Sequence, residues 1–248
     1  MKRFKNKIVL ITGAGSGIGR STAVRFDEEG ATSILVDINE EQLLETKNML
    51  SNSYSKTKVL DISSYDNSKI CFNEIKEDFK KLDCLINVAG VLRFDNSHEV
   101  ELENWNKIIN INLTGTFFMC NLAIPMLLES QGSIVNVSST AALGSHAWTA
   151  AYSASKGGIS AFSKTLAVEY GLRGLNVNCV CPASIETPMS KSPNLPKDID
   201  TRLLKKIMPV DGVNRSPDDI ASTIAFLASE DAIHINGIDL RVDGGLLT

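Results

Sequence analysis

The sequence predicts an α/β protein: a single-domain Rossmann fold with a doubly wound, mainly parallel sheet of seven strands and helices on both faces. Three observations carry this. Short β-branched apolar runs alternate with longer amphipathic stretches along the whole chain. The runs are apolar at nearly every position, as strands covered on both faces are. No linker-like stretch interrupts the series, so residues 1–248 read as one domain.

Residues 7–12, KIVLIT, form the first strand, and 17–30 the first helix. TSILVD (32–37) is the second strand, followed by a helix over 39–50 opened by Asn39 and two glutamates. TKVLD (57–61) and LDCLINVA (82–89) are strands around a helix near 65–80. GSIVNVSS (132–139), LNVNCVCP (175–182) and IDLRVDGG (238–245) complete the sheet. Five of the seven prolines fall between Pro182 and Pro209. A long loop there predicts a substrate lid over about 185–212.

The net charge of −4 and the absence of a long basic block exclude nucleic acid and anionic membrane as main partners. Five scattered cysteines without a C-x-x-C pair suit a reducing, cytoplasmic location and give no metal-site spacing, so no metal is expected. Residues 108–128 carry no charge, a stretch long enough for a membrane span. Asn110, Asn112, Asn121 and Pro125 interrupt it. A helix buried on several sides, partly by another subunit, is the better reading.

ITGAGSGIGR follows the first strand directly and leads into a helix. Gly13, Gly17 and Gly19 let the backbone turn tightly and approach a pyrophosphate, with Ser16 and Ile18 between them at the helix N-terminus. Asp37 ends the second strand, 18 residues after Gly19, where a carboxylate accepts hydrogen bonds from ribose hydroxyls. Neither Ser16 nor its neighbour Ile38 offers a cation to a 2′-phosphate, so NAD is the expected cofactor.

Tyr152 and Lys156 share a helix face in AYSASKGGISAF, with Ser139 thirteen residues before the tyrosine. An ammonium about 4 Å from a phenol favours phenolate by about 4 kcal/mol, enough to bring its pKa near 7. Ser139 is placed to hold the charge developing on a substrate oxygen. Together they would move a proton at an alcohol oxygen while a nicotinamide moves a hydride at its carbon.

These motifs resemble the short-chain dehydrogenase/reductase family over about residues 6–245. They are TGAGSGIG at 12–19, LDI at 60–62, NVAG at 87–90, NLTG at 112–115, SS at 138–139, YSASK at 152–156, CPASIETPM at 181–189 and VDGG at 242–245. The resemblance implies a fourth catalytic residue, Asn112, holding a water in a proton relay through Lys156. It implies that Asp61 and Ile62 flank the adenine, and that Asn87, Ala89 and Gly90 support the central strand and line the ribose. Pro182, Ile185 and Thr187 would lie at the nicotinamide, the last two at its carboxamide. It also implies a homotetramer, or a dimer, built on the helices at 101–128 and 152–171. Two departures stand out: Val88 replaces the family's second Asn, with little expected effect, and Ala183 replaces Gly beside the nicotinamide, where a methyl narrows the pocket.

The substrate is not determined by sequence. Leu92, Arg93, Phe94, Thr140, Leu143, His146, Trp148, Ala183, Ser184 and Met189 are pocket candidates by position. Trp148, Ala183 and Met189, with Ser139 and Tyr152, are the expected substrate contacts. Most are apolar, which suits a small-molecule secondary alcohol or ketone with a hydrocarbon portion. Arg93 reads as a solvated surface residue and His146 as an exposed loop histidine. A 3-oxoacyl-(acyl carrier protein) reductase is the enzymatic alternative. A non-catalytic NAD(H)-binding sensor is the other.

Overall fold

The computed structural model describes residues 2–144, 146–191, 195–197 and 199–248. Seven strands form one sheet in the order β3-β2-β1-β4-β5-β6-β7. They are β1 Ile8–Thr12, β2 Thr32–Asp37, β3 Lys56–Val59, β4 Cys84–Asn87, β5 Ser133–Val137, β6 Asn176–Pro182 and β7 Asp239–Val242. Every pairing is parallel, so the expected seven-stranded sheet is formed and is parallel throughout.

Side chains alternate between the two faces, as the pleat requires. Val9, Ile11, Leu35 and Ile86 join one core with Phe26 of α1 (Gly17–Glu28), Leu43 of α2 (Glu40–Met49) and Ile220 of α8 (Pro217–Leu227). Leu10, Ile34, Val36 and Leu85 join the other, with Phe72 of α3 (Tyr65–Phe79), Met119 of α5 (Gly115–Ser130) and Leu166 of α6 (Ala150–Tyr170). Both faces of the central strands are buried, which is why those strands read as continuous apolar runs, whereas the edge strands β3 and β7 are only partly covered.

Two features go beyond the sequence reading. Helix α8 was not anticipated, although Ser216 caps it by accepting from Asp218 N at 3.2 Å, with Pro217 and two aspartates in its first turn. The uncharged stretch is a continuous helix, Leu102–Ser130, long and apolar enough by composition to cross a membrane, with half of its most apolar window buried. It is α4 (Leu102–Ile108) and α5 joined by a π turn, Ile109–Thr114. The predicted lid contains the short helix α7 (Pro188–Lys191) and a 3-10 segment, Thr201–Ile207. Residues 192–194 and 198 of that lid lie outside the described residues.

Candidate active site

β1 lies between β2 and β4, so the chain leaves the sheet centre in two directions. Ligands bind α/β sheets beyond the carboxyl ends of strands at such a switch point. A cleft of about 770 Å³ opens there.

One end of the cleft is made of backbone. Gly13 and Gly17 have φ of +67° and +50°, a conformation side chains rarely adopt. A Cβ on Gly13 would lie 2.8 Å from Ala89 N, so the loop rests on the end of β4. A Cβ on Gly19 would lie 1.9 Å from Gly13 O, so Gly19 closes the loop and stands off the cleft wall. Ser16 begins α1 without a side-chain cap, and the first turn holds no acidic residue. The free N–H groups and the positive dipole end are therefore uncompensated, which fits a pyrophosphate.

Asp37 lines the cleft beside Ile38. Its carboxylate also accepts from Gly15 N and Asn39 N, both at 3.0 Å. It thus pins the glycine loop to β2, a task the sequence did not reveal. Asn39 caps α2, accepting from Gln42 N at 3.0 Å. The cation beside this loop, Arg20, is engaged by Gly15 O at 2.5 Å and Glu45 at 2.6 Å.

Asp61, Ile62, Ala89 and Gly90 line the cleft, as do Ser16, Ile18, Pro182, Ile185 and Thr187. Asn87 does not. It is buried beneath the floor, donating to Asn136 Oδ1 at 2.8 Å across the central strands.

The chemical end gathers the expected side chains. Ser139 follows β5, and its Oγ accepts from Ala141 N at 3.1 Å. Tyr152 and Lys156 occupy the first turns of α6, and all three line the cleft. Lys156 is buried, with Nζ donating to Val137 O at 2.7 Å and lying 5.7 Å from the centre of the Tyr152 ring. Burial lowers its pKa to about 8.

The expectation that Lys156 brings the Tyr152 phenol near 7 is not met in this state. Burial pushes the phenol above its ordinary value, and Ser139 pulls back only part of that. The ammonium is itself bonded to Val137 O, and removing water from a buried phenolate costs more than its attraction returns.

Asn112 sits in the π turn, fully buried and off the cleft wall. Its Oδ1 accepts from Val91 N at 2.8 Å, and its Nδ2 donates to Val91 O at 2.9 Å and Ser155 Oγ at 3.1 Å. It ties the loop after β4 to α6. A Cβ on Gly90 would stand 3.2 Å from Asn112 Oδ1 and 3.6 Å from Lys156 Nζ, so both groups border the space beside Gly90.

The remaining wall is largely apolar: Leu92, Phe94, Ala183, Met189, Leu204 and Ile207, the last three from the lid. Trp148 is a correction. It has φ of +63° and borders a separate pocket of about 360 Å³ rather than the cleft. Arg93 is exposed and paired with Asp95 at 2.8 Å, as a solvated arginine should be. His146 is the opposite correction: it is half-buried and lines the cleft. Asn214, which no local sequence signal marks, also lines the cleft, with its Oδ1 buried and without a hydrogen-bond partner among the described residues. Cys179 and Cys181 are buried, with pKa values pushed up to about 12 and about 11, so neither is a reactive thiolate.

A phosphate-ready helix end and a hydroxyl, phenol and ammonium on one cleft define a dinucleotide-dependent oxidoreductase. The family model described as enoyl-(acyl carrier protein) reductase matches residues 13–247, and the chain belongs to the short-chain dehydrogenase/reductase family. It is 35% identical to a 3beta-hydroxysteroid dehydrogenase of Mediterraneibacter gnavus, covering 100% of this chain and 97% of that one. It is 36% identical to a 3-oxoacyl-[acyl-carrier-protein] reductase of Thermotoga maritima, covering 99% of both. Among solved structures it is similar to carveol dehydrogenase from Mycobacterium avium in complex with NAD, with a TM-score of 0.91, 28% identity and coverage of 100% and 99%. The chain is thus an oxidoreductase acting on hydroxyl or keto groups with a nicotinamide dinucleotide.

Proposed function

We propose that this enzyme interconverts a small, largely apolar secondary alcohol and its ketone, using NAD in preference to NADP. The observation that carries this is the meeting of Ser139, Tyr152 and Lys156 on a cleft whose other end is the glycine loop. The nicotinamide, when bound, supplies the hydride acceptor or donor. Ser139 donates a hydrogen bond to the substrate oxygen. Tyr152 takes the alcohol proton in oxidation and returns it in reduction. Lys156 steadies the phenolate and reaches the ribose, while Asn112 supports the proton relay through Lys156.

The NAD preference rests on Asp37, which faces the ribose end, and on Arg20, whose guanidinium is already committed. The apolar wall suits a ring-bearing alcohol, the kind that the names of the hydroxysteroid and carveol enzymes describe. The 36% identical oxoacyl reductase keeps a second reading in play. Against it, Lys156 is the one lysine or arginine among the described residues lining the cleft. Free, buried thiols accord with a cytoplasmic enzyme, and exposed Phe117 and Val168 on α5 and α6 accord with a homotetramer or dimer.

The test follows nicotinamide absorbance with NAD or NADP across hydroxysteroids, cyclic alcohols, sugar alcohols and 3-hydroxyacyl thioesters. NAD-linked oxidation of cyclic or steroid alcohols is the expected result. NADP-linked oxidation of 3-hydroxyacyl thioesters alone would establish the second reading instead.

A further inference from the structure

His146 lies in the loop between β5 and α6, on a wall shared by the cleft and the outer pocket. Its Nε2 is 3.3 Å from Thr140 Oγ1, and that oxygen is 3.2 Å from Pro182 O. A carbonyl only accepts, so the single hydroxyl proton of Thr140 goes to Pro182. The hydroxyl then meets His146 with a lone pair, and Nε2 must carry a hydrogen. Burial holds the His146 pKa below its ordinary value, which keeps the ring neutral. Nδ1 is left as a bare acceptor, with no donor among the described residues.

The neighbouring wall of Leu92, Phe94, Met189 and Leu204 offers a ligand no polar contact from its side chains. An acceptor in such a wall selects a ligand that brings a donor. A neutral hydroxyl meets that need at low desolvation cost, whereas an ammonium would be stripped of water against hydrocarbon.

We propose that His146 determines substrate specificity, and that the preferred substrates are diols whose second, non-reacting hydroxyl donates to His146 Nδ1. This rests on the reading of the site as an alcohol dehydrogenase. It adds a stated second group to the substrate and a stated atom that receives it.

The experiment compares cyclohexanol with the 1,2-, 1,3- and 1,4-cyclohexanediols. Two quantities are read: kcat/KM with NAD, and Kd in the presence of NADH by tryptophan fluorescence. One hydrogen bond of this kind corresponds to a preference of about tenfold for at least one diol. The variants separate the two ring nitrogens. H146N places an amide oxygen where Nδ1 stands and should keep the diol preference. H146Q places its amide at the Nε2 position and should lose it, as should H146F. Equal diol-to-cyclohexanol ratios in the wild type, or a preference that survives in H146F or in H146Q but not H146N, would overturn the proposal. If no alcohol is oxidised but the Kd ratios follow the expected pattern, the dehydrogenase reading fails while the diol contact stands. If alcohols are oxidised without the pattern, the contact fails while the dehydrogenase reading stands.

Discussion

The two ends of the cleft are built by different means. The dinucleotide end is backbone: two glycines with positive φ, an uncapped helix N-terminus and a carboxylate that pins the loop. The substrate end is side chains carried by three loops, around 91–94, 140–149 and 183–214. Backbone geometry admits few residues at each position, whereas an apolar wall admits many of similar size. The first end therefore declares a cofactor class, and the second declares only a polarity.

The sharpest break in that comparison is at the chemistry. Tyr152→Phe should lower kcat by about 10³-fold or more while leaving NADH affinity within a few-fold. Stopped-flow turnover and cofactor fluorescence read the two separately. Retained turnover would remove Tyr152 as the acid/base.

Cofactor choice comes next. A 2′-phosphate about 4 Å from Asp37 costs about 4 kcal/mol, which is roughly a thousandfold in affinity. NADPH should bind more weakly than NADH by up to that factor, and D37N with I38R should narrow or invert the gap. Equal affinities in the wild type would sink the NAD assignment.

A smaller effect tests the backbone rule itself. Gly19→Ala forces a methyl to within 1.9 Å of Gly13 O, so the loop must open. A loss of about 3 kcal/mol in urea stability is expected, together with loss of NADH binding. A normal midpoint in that variant would mean that the loop tolerates what its geometry forbids.

Lys156 gives a pH signature of about 1 kcal/mol. Its folded pKa is about 8, against 10.5 for an ordinary lysine. Between those values the unfolded chain binds the extra proton, so its contribution to stability rises with pH from about 8. Five buried thiols act against this and outweigh it above about pH 8. Cys71 and Cys181 are held to about 11, and Cys84, Cys120 and Cys179 to about 12, so they ionise first in the unfolded chain. Urea midpoints should therefore fall from pH 8 upward, less steeply than the thiols alone would make them. Lys156→Met should steepen the fall between pH 8 and 9 by about 1 kcal/mol.

At the substrate end, Asn214→Leu should stabilise the ligand-free protein by about 1 kcal/mol by removing a buried acceptor that has no partner. A destabilised variant would show that the amide has a structural role.

The sequence made the dinucleotide end readable because its signals are local. The glycine spacing, Asp37 at a strand end and the Tyr152–Lys156 interval each lie within one or two elements. The misreadings at the substrate end depend on distance through space. His146 and Trp148 are two residues apart and both border the outer pocket, yet only His146 also lines the cleft, and the positive φ at Trp148 is not visible in its neighbours. The raised Tyr152 pKa follows from burial, which spacing cannot report. Asn112 was found by motif, but its bonds to Val91 and Ser155 span 21 and 43 residues. Helix α8 was missed although its cap residues, Ser216 and Pro217, were there to be read.

The wide turn at Ile109–Thr114 has a further consequence, one of phase. Each residue advances an α-helix by about 100°. Asn112 must face Val91 and α6, while Met119, Ala123 and Leu127 must face the sheet. The π turn is the gear between those two requirements. Deleting one residue from it would leave α4 in place and rotate everything beyond, so that either the Asn112 contacts to Val91 and Ser155 or the core, but not both, kept their alignment.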